Sequence, residues 1–101
     1  MVYFAVFATD KPDTTALRAN TREAHRRHLR EPGRHAVSVR FGGPTLSDDG
    51  TRMNGTLLII AAENMDAVNA FLADDPYVRA GLFETVEIRP WHWSLGNPGT
   101  L

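Results

Sequence analysis

At 101 residues the chain can build one domain with a modest core, and it is too short to enclose a large pocket alone. Its 11 Lys+Arg against 12 Asp+Glu, a formal net charge of -1, argue against nucleic acid or an anionic membrane as a partner. The absence of cysteine removes disulfides, thiol nucleophiles and thiolate zinc sites, and it fits a reducing compartment, with the cytoplasm as the simplest expectation.

The apolar start Val2 to Ala8 is shorter than a membrane span or the apolar region of a signal peptide, and it is rich in Val, Phe and Tyr. It predicts a strand through Thr9, broken by the turn chemistry of Asp10-Lys11-Pro12-Asp13. From Thr14 or Thr15 to about Glu31 no Gly or Pro interrupts a run of good helix formers, and Pro32-Gly33 stops it. Ala36 to Phe41 predicts a second strand that leaves the sheet at Gly42-Gly43-Pro44. Gly55 to Ala62, centred on Leu57-Leu58-Ile59-Ile60, predicts a third. Asn64 then reads as the N-cap of a helix in which Met65, Val68, Phe71 and Leu72 recur at helical spacing. A short helical turn from Pro76 follows, with Asp75 as its cap and Gly81 as its stop. Thr85 to Ile88 is the fourth strand, extended by Arg89 to Trp93. Residues 1–95 read as one domain and 96–101 as a loosely ordered tail.

The order β-α-β-β-α-β is the split plan of ferredoxin-like α+β folds, with two helices over one face of a four-stranded antiparallel sheet. Strand one alternates Val2, Phe4 and Val6 with Tyr3, Ala5 and Phe7, and strand three is equally apolar on both sides. Two helices bury only one face. The pattern therefore predicts a homodimer joined through the other.

On a helical wheel Leu17, Thr21, Ala24, His25, His28 and Leu29 share one inward arc, whereas Arg26 and Arg30, with Arg34 near them, fall on the far side as a solvated face. An inward histidine oriented by an acid is a recurring basis for proton transfer, and Asp75 is a candidate acid. Its bland reading is the cap before Pro76, and the two roles are compatible because a carboxylate has two oxygens. His25 and His28 with Asp75 also raise a metal site, but no HExxH motif, second His pair or thiolate completes one, so none is expected. Ser38, Ser47 and Ser94 lie in no nucleophile-elbow context. Gly42-Gly43-Pro44 lacks the pattern of a phosphate loop, and Trp91, His92 and Trp93 read as packing at a strand end.

The chain resembles the YciI-like (YCII) family of the dimeric α+β barrel superfamily. The resemblance rests on Asp10-Lys11-Pro12, on Arg18, Arg22, Ala24 and His25, and on Gly43-Pro44. It continues in Asp75-Pro76-Tyr77, Ala80-Gly81-Leu82-Phe83 and Val86-Glu87-Ile88-Arg89-Pro90-Trp91. It implies an active centre made by a histidine of the first helix and the aspartate of the Asp-Pro-Tyr segment, which fall on His25 and Asp75. Arg26 and Arg27 follow the histidine where the family usually has an apolar residue, which leaves His28 as a second candidate.

The expected activity is acid/base chemistry on a small organic molecule. His25 moves a proton next to a carbonyl, as in isomerisation or elimination from a lactone, Asp75 orients it, and no cofactor is needed. The scaffold is shared with muconolactone isomerase-like and chloromuconolactone dehalogenase-like proteins, a likeness of fold only. Arg22 is a candidate for a substrate carboxylate, with Tyr77 and His28 as further contacts. The competing expectation is a non-catalytic dimeric module that binds a small ligand, in which Asp75 is a cap and His25 satisfies a buried hydrogen bond.

Overall fold

The computed structural model describes residues 1–100. Its elements are β1 (Val2–Asp10), α1 (Thr15–Arg30), β2 (Val37–Leu46), β3 (Met53–Ala62), α2 (Met65–Ala73), α3 (Pro76–Arg79) and β4 (Phe83–Trp91). The four strands form one antiparallel sheet in the order β2-β3-β1-β4, the ferredoxin-like arrangement expected from the β-α-β-β-α-β order. Among the described residues no helix is long and apolar enough to cross a membrane. A 3-10 turn covers Pro98–Thr100 within the expected tail, and Leu101 lies outside the described residues.

The core lies between the sheet and the helices. Phe4, Val6, Val37, Leu58 and Ile60 project from the strands onto Val68, Phe71 and Leu72 of α2, all buried. Each large side chain removed from water this way stabilises the fold by roughly 1.5–3 kcal/mol before entropy is counted. Asn64 caps α2 as its sequence position suggests, accepting from the Ala67 N–H at 2.9 Å. Thr14 stands at the start of α1 without capping it, because its hydroxyl donates to the Lys11 carbonyl at 2.6 Å.

Two features depart from the expected pattern. β2 does not leave the sheet at Gly42-Gly43-Pro44 but runs through all three, pairing them with Leu58, Leu57 and Thr56. β2 is an edge strand, where proline's missing N–H breaks no ladder. Gly42 is needed for space, since a Cβ there would lie 2.7 Å from Leu58 Cδ2. The second departure is α1, whose only buried residues are the polar Arg18 and His25. Leu17, Thr21, His28 and Leu29 of the expected inward arc are half-buried, and Ala24 is exposed.

The second face of the sheet is open. Phe7, Leu57, Phe41 and Trp91 are 50%, 44%, 53% and 38% exposed there, so no described element covers the apolar residues on that side. Tyr3, Trp91, Trp93 and Phe41 form a chain of aromatic contacts at one end, with centroids 5.2 to 6.1 Å apart.

Candidate active site

The site is assembled from α1, α3 and the ends of β1 and β3. Asp75 is wholly buried at the start of α3, its backbone extended and its Oδ1 accepting from the Tyr77 N–H at 3.0 Å as the N-cap. The same carboxylate receives His25 from α1, with Nδ1 lying 2.8 Å from Oδ1 and 3.0 Å from Oδ2. Capping and orientation are therefore carried by one side chain. A carboxylate only accepts, so Nδ1 of His25 carries the hydrogen and the neutral ring has a bare Nε2. That nitrogen has no partner among the described residues. Since none of their buried polar side-chain atoms is left unpaired, Nε2 is not sealed away from solvent, and the ring it belongs to lines a cleft.

Tyr77 lies parallel to the imidazole, with ring centroids 3.9 Å apart and planes 18° from parallel. On its other side the Arg18 guanidinium carbon sits 4.7 Å from the Tyr77 centroid, and Nη1 reaches the phenol oxygen at 3.5 Å, the long limit of a hydrogen bond. Arg18 is 4% exposed. Two nitrogens grip Asp10, Nε to Oδ2 at 2.7 Å and Nη2 to Oδ1 at 2.9 Å. Nη2 also reaches the Gly55 carbonyl at 2.8 Å and the Thr56 hydroxyl at 2.9 Å. Burial alone would lower the Arg18 pKa, but the hydrogen bonds and charges of Asp10 and Tyr77 together more than offset it, and the net shift is upward. The guanidinium is a fixed cation. The result is a column, Asp10, Arg18, Tyr77, His25, Asp75, in which each member holds the next.

The composition and wheel reading did not single out Arg18 as a site residue. The signal was its spacing: it stands seven residues before His25, two helical turns, and so on the same face. A stripe sought through apolar residues passes over an arginine even when that arginine is the buried member.

The other expected contacts are placed unequally. Arg22 lines the cleft, half-buried; among the described residues its side chain makes one hydrogen bond, Nη2 to Met53 Sδ at 3.4 Å, and no ion pair. Tyr77 lines it as well. His28 is not brought to the dyad. Three residues on from His25 it is turned about 60° round the helix. Its ring stacks on Phe71 at 4.2 Å, and Nε2 is 2.8 Å from the Phe71 carbonyl. The cleft over His25 is small, about 70 Å³, with Arg26, Leu29, Gly42, Gly43 and Pro44 continuing its wall toward the edge of the sheet. Among the described residues no three His, Asp or Glu side chains converge as a metal-binding group.

Residues 2–92 match the model of the YCII-related domain. The chain belongs to the YCII family. Protein YciI of Escherichia coli is 29% identical over 92 residues, 87% of this chain and 94% of that one. Among solved structures, 5-chloro-2-hydroxyhydroquinone dehydrochlorinase (TftG) of Burkholderia phenoliruptrix, in complex with 2,5-dihydroxybenzoquinone, is 33% identical. The match covers 89% of this chain and 93% of that chain, with a TM-score of 0.76. A dimeric protein of unknown function and ferredoxin-like fold from Bacteroides fragilis shares the architecture at 17% identity and a TM-score of 0.56, over 91% of this chain and 95% of that one. The Asp-Pro-Tyr segment and the first-helix histidine, fifty residues apart in the chain, meet here at 2.8 Å.

Proposed function

We propose that this YCII protein is a small-molecule enzyme in which His25 transfers a proton at Nε2 and Asp75 holds the ring and stabilises its charged form. The observation that carries the reading is the 2.8 Å contact of His25 Nδ1 with a wholly buried carboxylate, beside a cleft that the ring lines. The reaction class is proton abstraction next to a carbonyl, as isomerisation or as elimination. The likeness to a dehydrochlorinase favours elimination. In that case His25 Nε2 takes the proton from one carbon, the C–H electron pair forms the new double bond, the C–Cl bond breaks and chloride leaves.

The other cleft residues have distinct roles in this scheme. Arg22, with no acid paired to it among the described residues, binds an oxygen of the substrate through its planar fork. Tyr77 holds the imidazole plane by stacking, and Arg18 acts through Tyr77 as a positioning residue. His28 has no role at the reacting atoms, since its ring is taken up by Phe71. The protein works as a homodimer packed through its open sheet faces, which the exposed Phe7, Phe41 and Leu57 support.

The test is chloride release from 5-chloro-2-hydroxyhydroquinone and isomerisation of a panel of unsaturated lactones, by the natural protein, His25→Ala and Asp75→Asn. Folding is scored in parallel by circular dichroism. The expected result is turnover of at least one compound that both folded variants lose. Turnover by folded His25→Ala equal to that of the natural protein would overturn the assignment. No turnover of any compound, with His25-dependent binding intact, would favour the ligand-binding module.

A further inference from the structure

The dyad cleft is far smaller than an ordinary ligand pocket. At about 70 Å³ it has room for a ring edge or a carbonyl, whereas sites for small molecules are usually on the order of 300–1,000 Å³. A much larger groove, about 580 Å³, opens beside it between the end of α1 and the edge strand β2. The two are continuous through Arg26, Leu29 and Gly42, which line both. The groove also holds Arg30 and Arg40 over a floor that includes Val39, and no acidic residue lines either space.

These three arginines are poorly neutralised in a chain whose net charge is -1. Arg26 has only a loose, exposed contact with Glu23 at 3.4 Å. Arg30 and Arg40 hold no hydrogen bond or ion pair among the described residues. By contrast, Arg34 and Arg79 share Asp74, at 3.0 and 2.8 Å. Arg30, in the last turn of α1, also complements the helix dipole, which explains its position without a ligand. Arg40 has no such explanation. The pairing of β2 with β3 skips it, Val39 opposing Ile60 and Phe41 opposing Ile59, so Arg40 is the extra residue of a bulge. Bulges re-aim a side chain, and this one leaves Arg40 lining the groove while Phe41 joins the open face beside Ile59.

We infer that the groove is an anion subsite. The ligand of this protein has two parts, a ring or carbonyl that enters the cleft at His25 and a tethered carboxylate or equivalent anionic group held by Arg26, Arg30 and Arg40. The inference rests on the proposed site at His25 for its location and adds the chemical class of what binds there. Guanidinium groups recognise carboxylates by paired N–H donors, and the apolar stretch at Leu29 and Val39 suits the tether.

The probes are 2,5-dihydroxyphenyl compounds carrying a carboxylate on a tether of one to three carbons, each beside its primary amide. Binding to the full-length protein is followed by NMR at low and high salt. At low salt at least one carboxylate is expected to bind about tenfold more tightly than its amide, with shifts at both His25 and Val39 and with the preference weakening at high salt. Arg30→Gln/Arg40→Gln, at two exposed positions, is expected to bring carboxylate and amide to within about twofold while hydroquinone still shifts His25. Equal binding of every pair, no binding of any carboxylate, or a preference that survives the double variant would overturn the subsite. Failure of the proton-transfer reading is separable. His25→Ala would then keep both the carboxylate preference and the natural protein's turnover.

Discussion

Asp75 answers to two partners at once, and the two can be separated by substitution. Asparagine is also a good N-cap, so Asp75→Asn keeps the bond from the Tyr77 N–H and loses the carboxylate that orients His25. The expected outcome is a folded protein whose turnover falls by about 10²- to 10⁴-fold, the usual contribution of a positioned acid or base. Asp75→Ala removes both partners. A lost cap at about 1 kcal/mol plus an unpaired buried ring nitrogen at about 1–3 kcal/mol predicts about 2–4 kcal/mol of destabilisation, read from urea unfolding. The neighbouring Asp74 behaves differently. Hydrogen bonds from Arg79 and His35, with the charges of Arg34 and Arg79, hold its pKa at about 2, below the ordinary 3.8. A depressed folded pKa means that this stabilisation is complete above about 3.8 and is lost as pH falls through about 2. Asp74→Asn is therefore expected to flatten the fall of the urea midpoint between those two pH values and to leave turnover unchanged.

Among the elements, the strands carry most of what was legible beforehand. The alternation in β1, the apolar run of β3 and the Asn64 cap of α2 are local signals, and local signals survive into the structure. β2 was legible only to Phe41, because Gly-Gly-Pro is ordinary exit chemistry and only the edge position lets it stay paired. α1 was legible as a helix, but its burial was not, since Arg18 enters the interior only because Asp10, Gly55 and Thr56 await it from other elements. Such partners are invisible to a periodicity. Gly55 shows how tightly β3 is set between its neighbours. A Cβ there would collide with the Ala8 carbonyl and lie 2.6 Å from Thr45 Oγ1. Gly55→Ala is expected to destabilise at the upper end of the roughly 1–3 kcal/mol seen for overpacking, and to loosen Arg18 with it. At Gly43 an added Cβ meets nothing within 4 Å and the backbone is not left-handed, so Gly43→Ala is expected to raise the unfolding midpoint slightly by restricting the unfolded chain.

At the scale of the whole molecule the proposed dimer rests on the open sheet face. Its apolar character was legible from two-sided alternation alone, because the helices among the described residues pack on the other face and leave this one open. Leu57 is 44% exposed, near the centre of that face and opposite Phe7. Leu57→Glu places a charge there without entering the core. It is expected to give a folded monomer by light scattering where the natural protein gives a dimer; a natural protein that is already monomeric would remove the sheet-to-sheet assembly. The His25–Asp75 pair was legible as two residues of a pattern fifty positions apart, whereas its place at the end of a five-residue column was not, since that order is set by tertiary packing of α1 against α3. The most direct test of the proton-transfer reading is a long-range ¹H–¹⁵N NMR spectrum of the histidines, at a pH where they are neutral, with and without 2,5-dihydroxybenzoquinone. The account predicts His25 protonated at Nδ1 and bare at Nε2, with the Nε2 resonance moving when the quinone is added. A His25 protonated at Nε2, or one indifferent to the ligand while His28 responds, would contradict it.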